Sequence, residues 1–224
     1  DASDADPPIK AAQYVPPPAG QDLQARLADL LDWLYRDHRD AIDPVVAAAM
    51  VHYGFEALHP FHDGNGRLGR LLIVLQLHRS GVLTEPTITV SPWFEARRPG
   101  YYDALLGVSM SGDWSTWVGF FAAGVAESAR QTQERMLRLV GVQAELKDVV
   151  QRARLRTANA RLLVDHAVSR PSFTIREVAE ALGIGVPGAT KLLDRLVDLE
   201  VLAPVDGRAY SRRFCAPRVV QVLL

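Results

Sequence analysis

Leu23, Leu27, Leu30, Leu31 and Leu34 recur at three- and four-residue spacing, the period that gathers apolar side chains on one face of an α-helix. That pattern, repeated along most of the chain, excludes a sheet-based core. A second helix is set by Asp43 as a cap and Pro44 in the first turn, and runs to Leu58. A third apolar run over residues 68–78 ends at Ser80-Gly81. Further helices are predicted over 98–108 and 114–140, whereas residues 84–90 fit no element. The first 20 residues hold Pro7-Pro8 and Pro16-Pro17-Pro18. Proline lacks a donor and fixes φ, so this stretch is expected to be extended, with at most an edge strand over 13–15. No internal repeat is present.

The pattern changes near residue 159. A helix over 160–168 leads through Phe173-Thr174 to a second over 175–182, a turn at 183–186 and a third over 187–199. Two extended runs, 201–205 and 209–214, then flank Asp206-Gly207, a strong hairpin-turn signal. Helix, helix-turn-helix and terminal hairpin read as a winged helix. The predicted fold class is therefore mostly α: an all-helical core over residues 21–150, preceded by a proline-rich segment (1–20) and followed by a small winged-helix domain over 151–224. Charge follows the same division. Residues 1–150 carry 13 basic against 19 acidic side chains, and residues 151–224 carry 12 against 7. No apolar run approaches the roughly 20 residues that cross a bilayer, so no membrane span is predicted. The single cysteine, Cys215, excludes an internal disulfide, fits a reducing cytoplasm and reads as a small packed hydrophobe. The chain opens on Asp1 with neither Met nor a signal-peptide pattern and reads as one that starts inside a longer sequence.

The segment His59-Pro60-Phe61-His62-Asp63-Gly64-Asn65-Gly66-Arg67, with Arg70 one turn on, concentrates chemistry. Glycines let the backbone take positive φ and bring its N–H groups close to a ligand. The free N–H groups and dipole of a helix start favour a bound phosphate. Arg67 and Arg70, three residues apart, project from the first turn, and their planar forks suit phosphate oxygens. Asp63 offers a hard oxygen ligand for Mg²⁺, which is usually held by one or two carboxylates plus substrate phosphates. His59 can accept a proton near neutral pH. The set describes a phosphoryl-transfer site.

This segment resembles the signature of the Fic family, HPFx(D/E)GN(G/K)RxxR, at every defined position. The resemblance extends over about residues 13–140, including Ser91-Pro92-Trp93-Phe94, Tyr101-Tyr102 and Gly112-Asp113-Trp114. It implies an all-α core and transfer of AMP from ATP to a Tyr, Thr or Ser hydroxyl of a target protein, the enzyme itself included. His59 would then be the general base and Asp63 the Mg²⁺ ligand. Backbone N–H groups of Gly64, Asn65 and Gly66 would form the anion hole, with Arg67 on the β-phosphate and Arg70 on the γ-phosphate. Phe61 is expected to point into the core, and His62 to be solvated. Tyr102 and Trp93 are candidates for the adenine pocket, set against a plain core role. Gly66, where a phosphate-transferring branch has Lys, favours nucleotidyl transfer.

Many relatives carry an inhibitory helix of pattern (S/T)xxxE(G/N) whose Glu pairs with the second motif arginine. Ser91 and Glu95 have the right offset, but Ala96 follows and the segment falls elsewhere in the fold. The expectation is that such a helix lies upstream of Asp1, leaving Arg70 unopposed, with residues 1–13 a remnant of a substrate-aligning flap. In the C-terminal unit Lys191 and Arg195 share one helix face, and Arg208, Arg212 and Arg213 lie on the wing. Asp194 and Asp198 interrupt that basic face. DNA binding, homodimerisation and target docking are the alternatives for this unit. For the whole chain, a nucleotide-sensing DNA-binding regulator, or a Fic enzyme of other transfer or AMP-removing activity, is the alternative to an adenylyltransferase.

Overall fold

The computed structural model describes residues 14–155, 157–205 and 212–224. It divides into two compact units, Asp1–Thr132 and Gln133–Leu224. The fold class expected from the sequence holds: among the described residues, helices run throughout and strands occur only in one small sheet.

The first unit contains α1 (Gln21–Tyr35), α2 (Pro44–Leu58), α3 (Asn65–Arg79), α4 (Ser91–Ala96), α5 (Arg98–Ser111) and the start of α6 (Trp114–Arg152). Asp43 caps α2 as expected, accepting from the Val45 N–H at 2.8 Å, with Pro44 in the first turn. Ala48 and Ala49 keep α2 thin where it packs with α3. The core around it is aromatic: Phe94, Trp117 and Phe121 are buried, and the Trp117 indole donates to the Ala49 carbonyl at 3.0 Å. His52 lies fully buried among these rings, 2.9 Å from the Tyr101 hydroxyl. Desolvation lowers its pKa to about 4, so it is neutral at pH 7. Tyr14 and Val15 form no strand; Gln13 and the proposed flap residues lie outside the described residues.

The second unit takes the end of α6, then α7 (Ala158–Ser169), β1 (Phe173–Thr174), α8 (Ile175–Leu182), α9 (Val186–Asp198), β2 (Ala203–Pro204), β3 (Arg213–Cys215) and α10 (Pro217–Leu223). The antiparallel sheet has the order β1-β3-β2, with Phe173 opposite Phe214 and Ala203 opposite Cys215. Thr174 and Glu177 form a capping box on α8, and Gly183 closes that helix in the left-handed region. Leu163, Phe173, Leu193, Leu196 and Phe214 fill the core. The Asp206-Gly207 turn and Arg208 lie outside the described residues.

Several elements differ from expectation: α5 runs on to Ser111, past 108, and α10 falls where no helix was expected. α6 continues to Arg152, not 140. Its last turns bury Leu146 and Val150, and Asp148 pairs with Arg152 one turn on. α3 starts at Asn65, three residues early, which moves the motif's last residues into the helix itself. Residues 91–96 form a helix where only a motif segment was recognised. Among the described residues no helix is long and apolar enough to cross a membrane.

Candidate active site

The helix-loop-helix between α2 and α3 carries the site. α2 ends at His59, whose φ of 44° and ψ of 55° place it in the left-handed region as the cap residue, its N–H bonded to the Phe55 carbonyl at 3.0 Å. Histidine tolerates this region better than bulkier or branched residues. The chain then crosses to Gly64, which caps α3 with φ of 82°, a conformation that favours glycine. Asn65 holds the crossing together. Its buried side chain accepts from the Phe61 N–H at 3.0 Å and donates to the Phe61 carbonyl at 2.5 Å.

This bracing corrects the role expected of Phe61. Its ring is 48% exposed and only leans on Phe55, so the loop is anchored through the Phe61 backbone, not its side chain. The backbone anion hole is also partly used. The Gly64 N–H already donates to the Asp63 Oδ1 at 2.6 Å. Asn65 and Gly66 open α3, where N–H groups have no intrahelical acceptor.

The guanidinium of Arg67 meets the Asp63 carboxylate at 3.0 Å, both well exposed. Arg70 is more enclosed. Its Nε donates to the Ser91 hydroxyl at 3.0 Å, and its Nη1 stands 3.5 Å from the Glu95 carboxylate. The expectation that Arg70 stands unopposed is thereby corrected, and by the pair Ser91 and Glu95 that sequence reasoning had set aside. A β-carbon on residue 66 would come within 3.1 Å of Arg70 Nη1, so the guanidinium lies directly over the glycine backbone at the start of α3.

His59, Asp63, Gly64, Gly66, Arg67, Arg70 and Tyr102 line one cleft of about 490 Å³. Asn65 sits behind it as the brace. Trp93 is not on the wall. It is buried in the core beneath Arg97, whose guanidinium covers its ring at 4.6 Å, so the adenine-pocket candidacy of Trp93 is corrected to packing. Tyr102 is half-exposed and packs edge-on to Tyr101.

Several wall residues escaped sequence reasoning. Glu56, one turn before His59, is largely enclosed, and burial raises its carboxyl pKa against the lowering effect of Arg70. Its signal was an acid on the otherwise apolar face of α2. Glu95 and Arg98 line the cleft and pair at 3.5 Å. Tyr14 reaches the wall by donating to the Ala57 carbonyl at 2.8 Å, and the Tyr53 hydroxyl meets Ser109 at 3.0 Å. These contacts join distant segments and leave no local pattern.

Among the described residues no three acidic, histidine or cysteine side chains converge as a metal site. Asp63 is a well-exposed carboxylate that lines the cleft beside the start of α3. Such a carboxylate suits a Mg²⁺ ion held jointly with substrate phosphates.

A helical fold here brings two guanidiniums, a glycine-capped helix start and an imidazole to one cleft, groups that suit an anion. Residues 3–77 match the Fic/DOC family. Protein adenylyltransferase fic-1 of Caenorhabditis briggsae is 46% identical over 65 residues, 29% of this chain and 13% of the relative. Protein adenylyltransferase Fic of Drosophila willistoni is 36% identical over 109 residues, 49% of this chain and 20% of the relative. The chain thus spans a fifth or less of the length of these curated relatives. A solved Fic family protein from Desulfovibrio desulfuricans G20 aligns over 90% of this chain and 56% of its own, at 25% identity and a TM-score of 0.47.

Proposed function

We propose that this chain transfers AMP from ATP to a hydroxyl side chain of a target protein. The observation that carries the reading is the single cleft in which His59, Asp63, Arg67 and Arg70 meet at the start of α3. The attacking oxygen forms a bond to the α-phosphorus of ATP as the bond to the β-phosphate oxygen breaks and pyrophosphate leaves. His59 takes the hydroxyl proton. The N–H groups of Asn65 and Gly66 and the two arginines hold the polyphosphate in line, so that catalysis rests on positioning and charge neutralisation. Asp63 would hold a Mg²⁺ ion, which would supply further neutralisation of phosphate charge. Tyr102 faces the same space and is assigned to the nucleoside end.

Incubation with α-³²P-ATP and Mg²⁺ tests this. Label should appear on protein, on the enzyme itself included, and His59→Ala should lower it by at least ~10²–10⁴-fold. Label undiminished in that variant ends the assignment.

Within the second unit, residues 151–224, beside a catalytic part at 21–150, are read as a winged helix that docks proteins, either a second copy or the target. Asp194 faces Arg212 at 3.9 Å, and Asp198 shares the exposed side of α9 with Lys191 and Arg195. Acidic groups there oppose a phosphate backbone. Salt-sensitive gel shifts of genomic DNA fragments by the protein would overturn this reading. The single cysteine supports a cytoplasmic setting.

A further inference from the structure

α4 is a short helix with two unlike sides. Trp93 and Phe94 are buried, both against the backbone of Gly124 in α6, and fix the helix in the core. Ser91 and Glu95, one turn apart, are both turned to Arg70. A serine at a helix start ordinarily caps it, yet the capping position here is Val90, which offers no side-chain bond. The Ser91 hydroxyl instead accepts the Nε–H of Arg70 at 3.0 Å.

That bond has a geometric consequence. A guanidinium is a planar fork, and a partner on Nε fixes the rotation of its plane, leaving both terminal nitrogens to point one way. Nη1 then lies over Gly66, at the head of α3, where an anion would rest. Glu95 does not fix the fork in the same manner. Its carboxylate is 3.5 Å from Arg70 and also 3.5 Å from Arg98, shared between two cations and about half exposed.

We infer that Ser91 is a positioning residue, setting the Arg70 fork to grip the polyphosphate of the substrate. The inference rests on the transfer reading for the identity of that polyphosphate but is tested with inorganic tripolyphosphate. Calorimetric titration of the full chain should show Ser91→Ala binding the probe about tenfold more weakly, the loss of one hydrogen bond to a charged group. Ser91→Thr, which keeps the hydroxyl, should restore most of the affinity. The lost bond also costs folding stability, so the titration is run well below both thermal midpoints, where wild type and variant are folded. In an Arg70→Lys background, which has no Nε–H fork, Ser91→Ala should cost nothing further.

Wild-type affinity in Ser91→Ala, a loss that Ser91→Thr does not recover, an additive loss in the Arg70→Lys background, or no tripolyphosphate binding by the wild type each overturns the inference. Absence of label from α-³²P-ATP sinks the transfer reading alone and leaves the titration interpretable.

Discussion

Arg67 and Asp63 face each other across the first turn of α3, guanidinium to carboxylate at 3.0 Å, with side chains 75% and 89% exposed. Exposed pairs of this kind contribute about 0–1 kcal/mol to stability. The pair therefore yields readily when substrate phosphate and its cation compete for the two partners. Arg67→Ala should shift the folding free energy by less than about 1 kcal/mol while cutting labelling from ATP by ten-fold or more, on the order of ~10²-fold. A denaturation curve displaced as far as the activity would show that Arg67 is structural.

Asn65 braces the loop with two hydrogen bonds to Phe61 from a buried position. Asn65→Ala leaves both Phe61 backbone groups without that partner and should cost about 1–3 kcal/mol, read from urea unfolding. Asn65→Asp keeps only the acceptor and should fall between the two. Equal stability of all three would remove the brace.

Glu95 places negative charge 3.5 Å from the Arg70 prong that faces the cradle. Glu95→Gln removes that charge and should tighten binding of a non-hydrolysable ATP analogue several-fold, about 1 kcal/mol for a partly exposed charge. The gain should shrink as salt rises. Weaker binding by Glu95→Gln would reverse the electrostatic argument.

The neutral, buried His52 gives acid sensitivity. Its pKa falls from 6.5 to about 4 on burial, so between those values the unfolded chain binds a proton that the native state refuses. Stability should decline as pH drops from 6.5 toward 4, by roughly 1.4 kcal/mol per pH unit at the steepest. Glu56, with its carboxyl pKa raised by burial, acts in the opposite sense: its contribution is present at low pH and is lost as pH rises from 4.5 through its folded value. Comparing wild type with His52→Gln at pH 5 and pH 7 isolates the histidine. A stability difference independent of pH would contradict its burial in neutral form.

The helical architecture was legible because periodicity reports the inward face of a helix: Leu23, Leu27, Leu30 and Leu34 of α1 are half-buried while Leu31 is exposed, and the start of α2 is capped as expected. The motif was legible because its residues stand close together in the sequence, with Gly64 and Gly66 flanking the first residue of α3. What remained hidden depends on contacts distant in sequence. Ser91 reaches Arg70 across 21 residues, and Tyr14 reaches Ala57 across 43. Trp93 and Tyr102 show the same limit from the other side. Both are aromatic residues on adjacent short helices, and only packing decides that one is enclosed and the other borders the cleft.

His59 occupies a mirror-image backbone conformation that glycine would adopt without penalty, and that other side chains enter at a cost of about 1–2 kcal/mol. Fold and chemistry thus pull in opposite directions at one position. Exchange for glycine would relax the corner and firm the scaffold while removing the imidazole that the proposed transfer needs as its base.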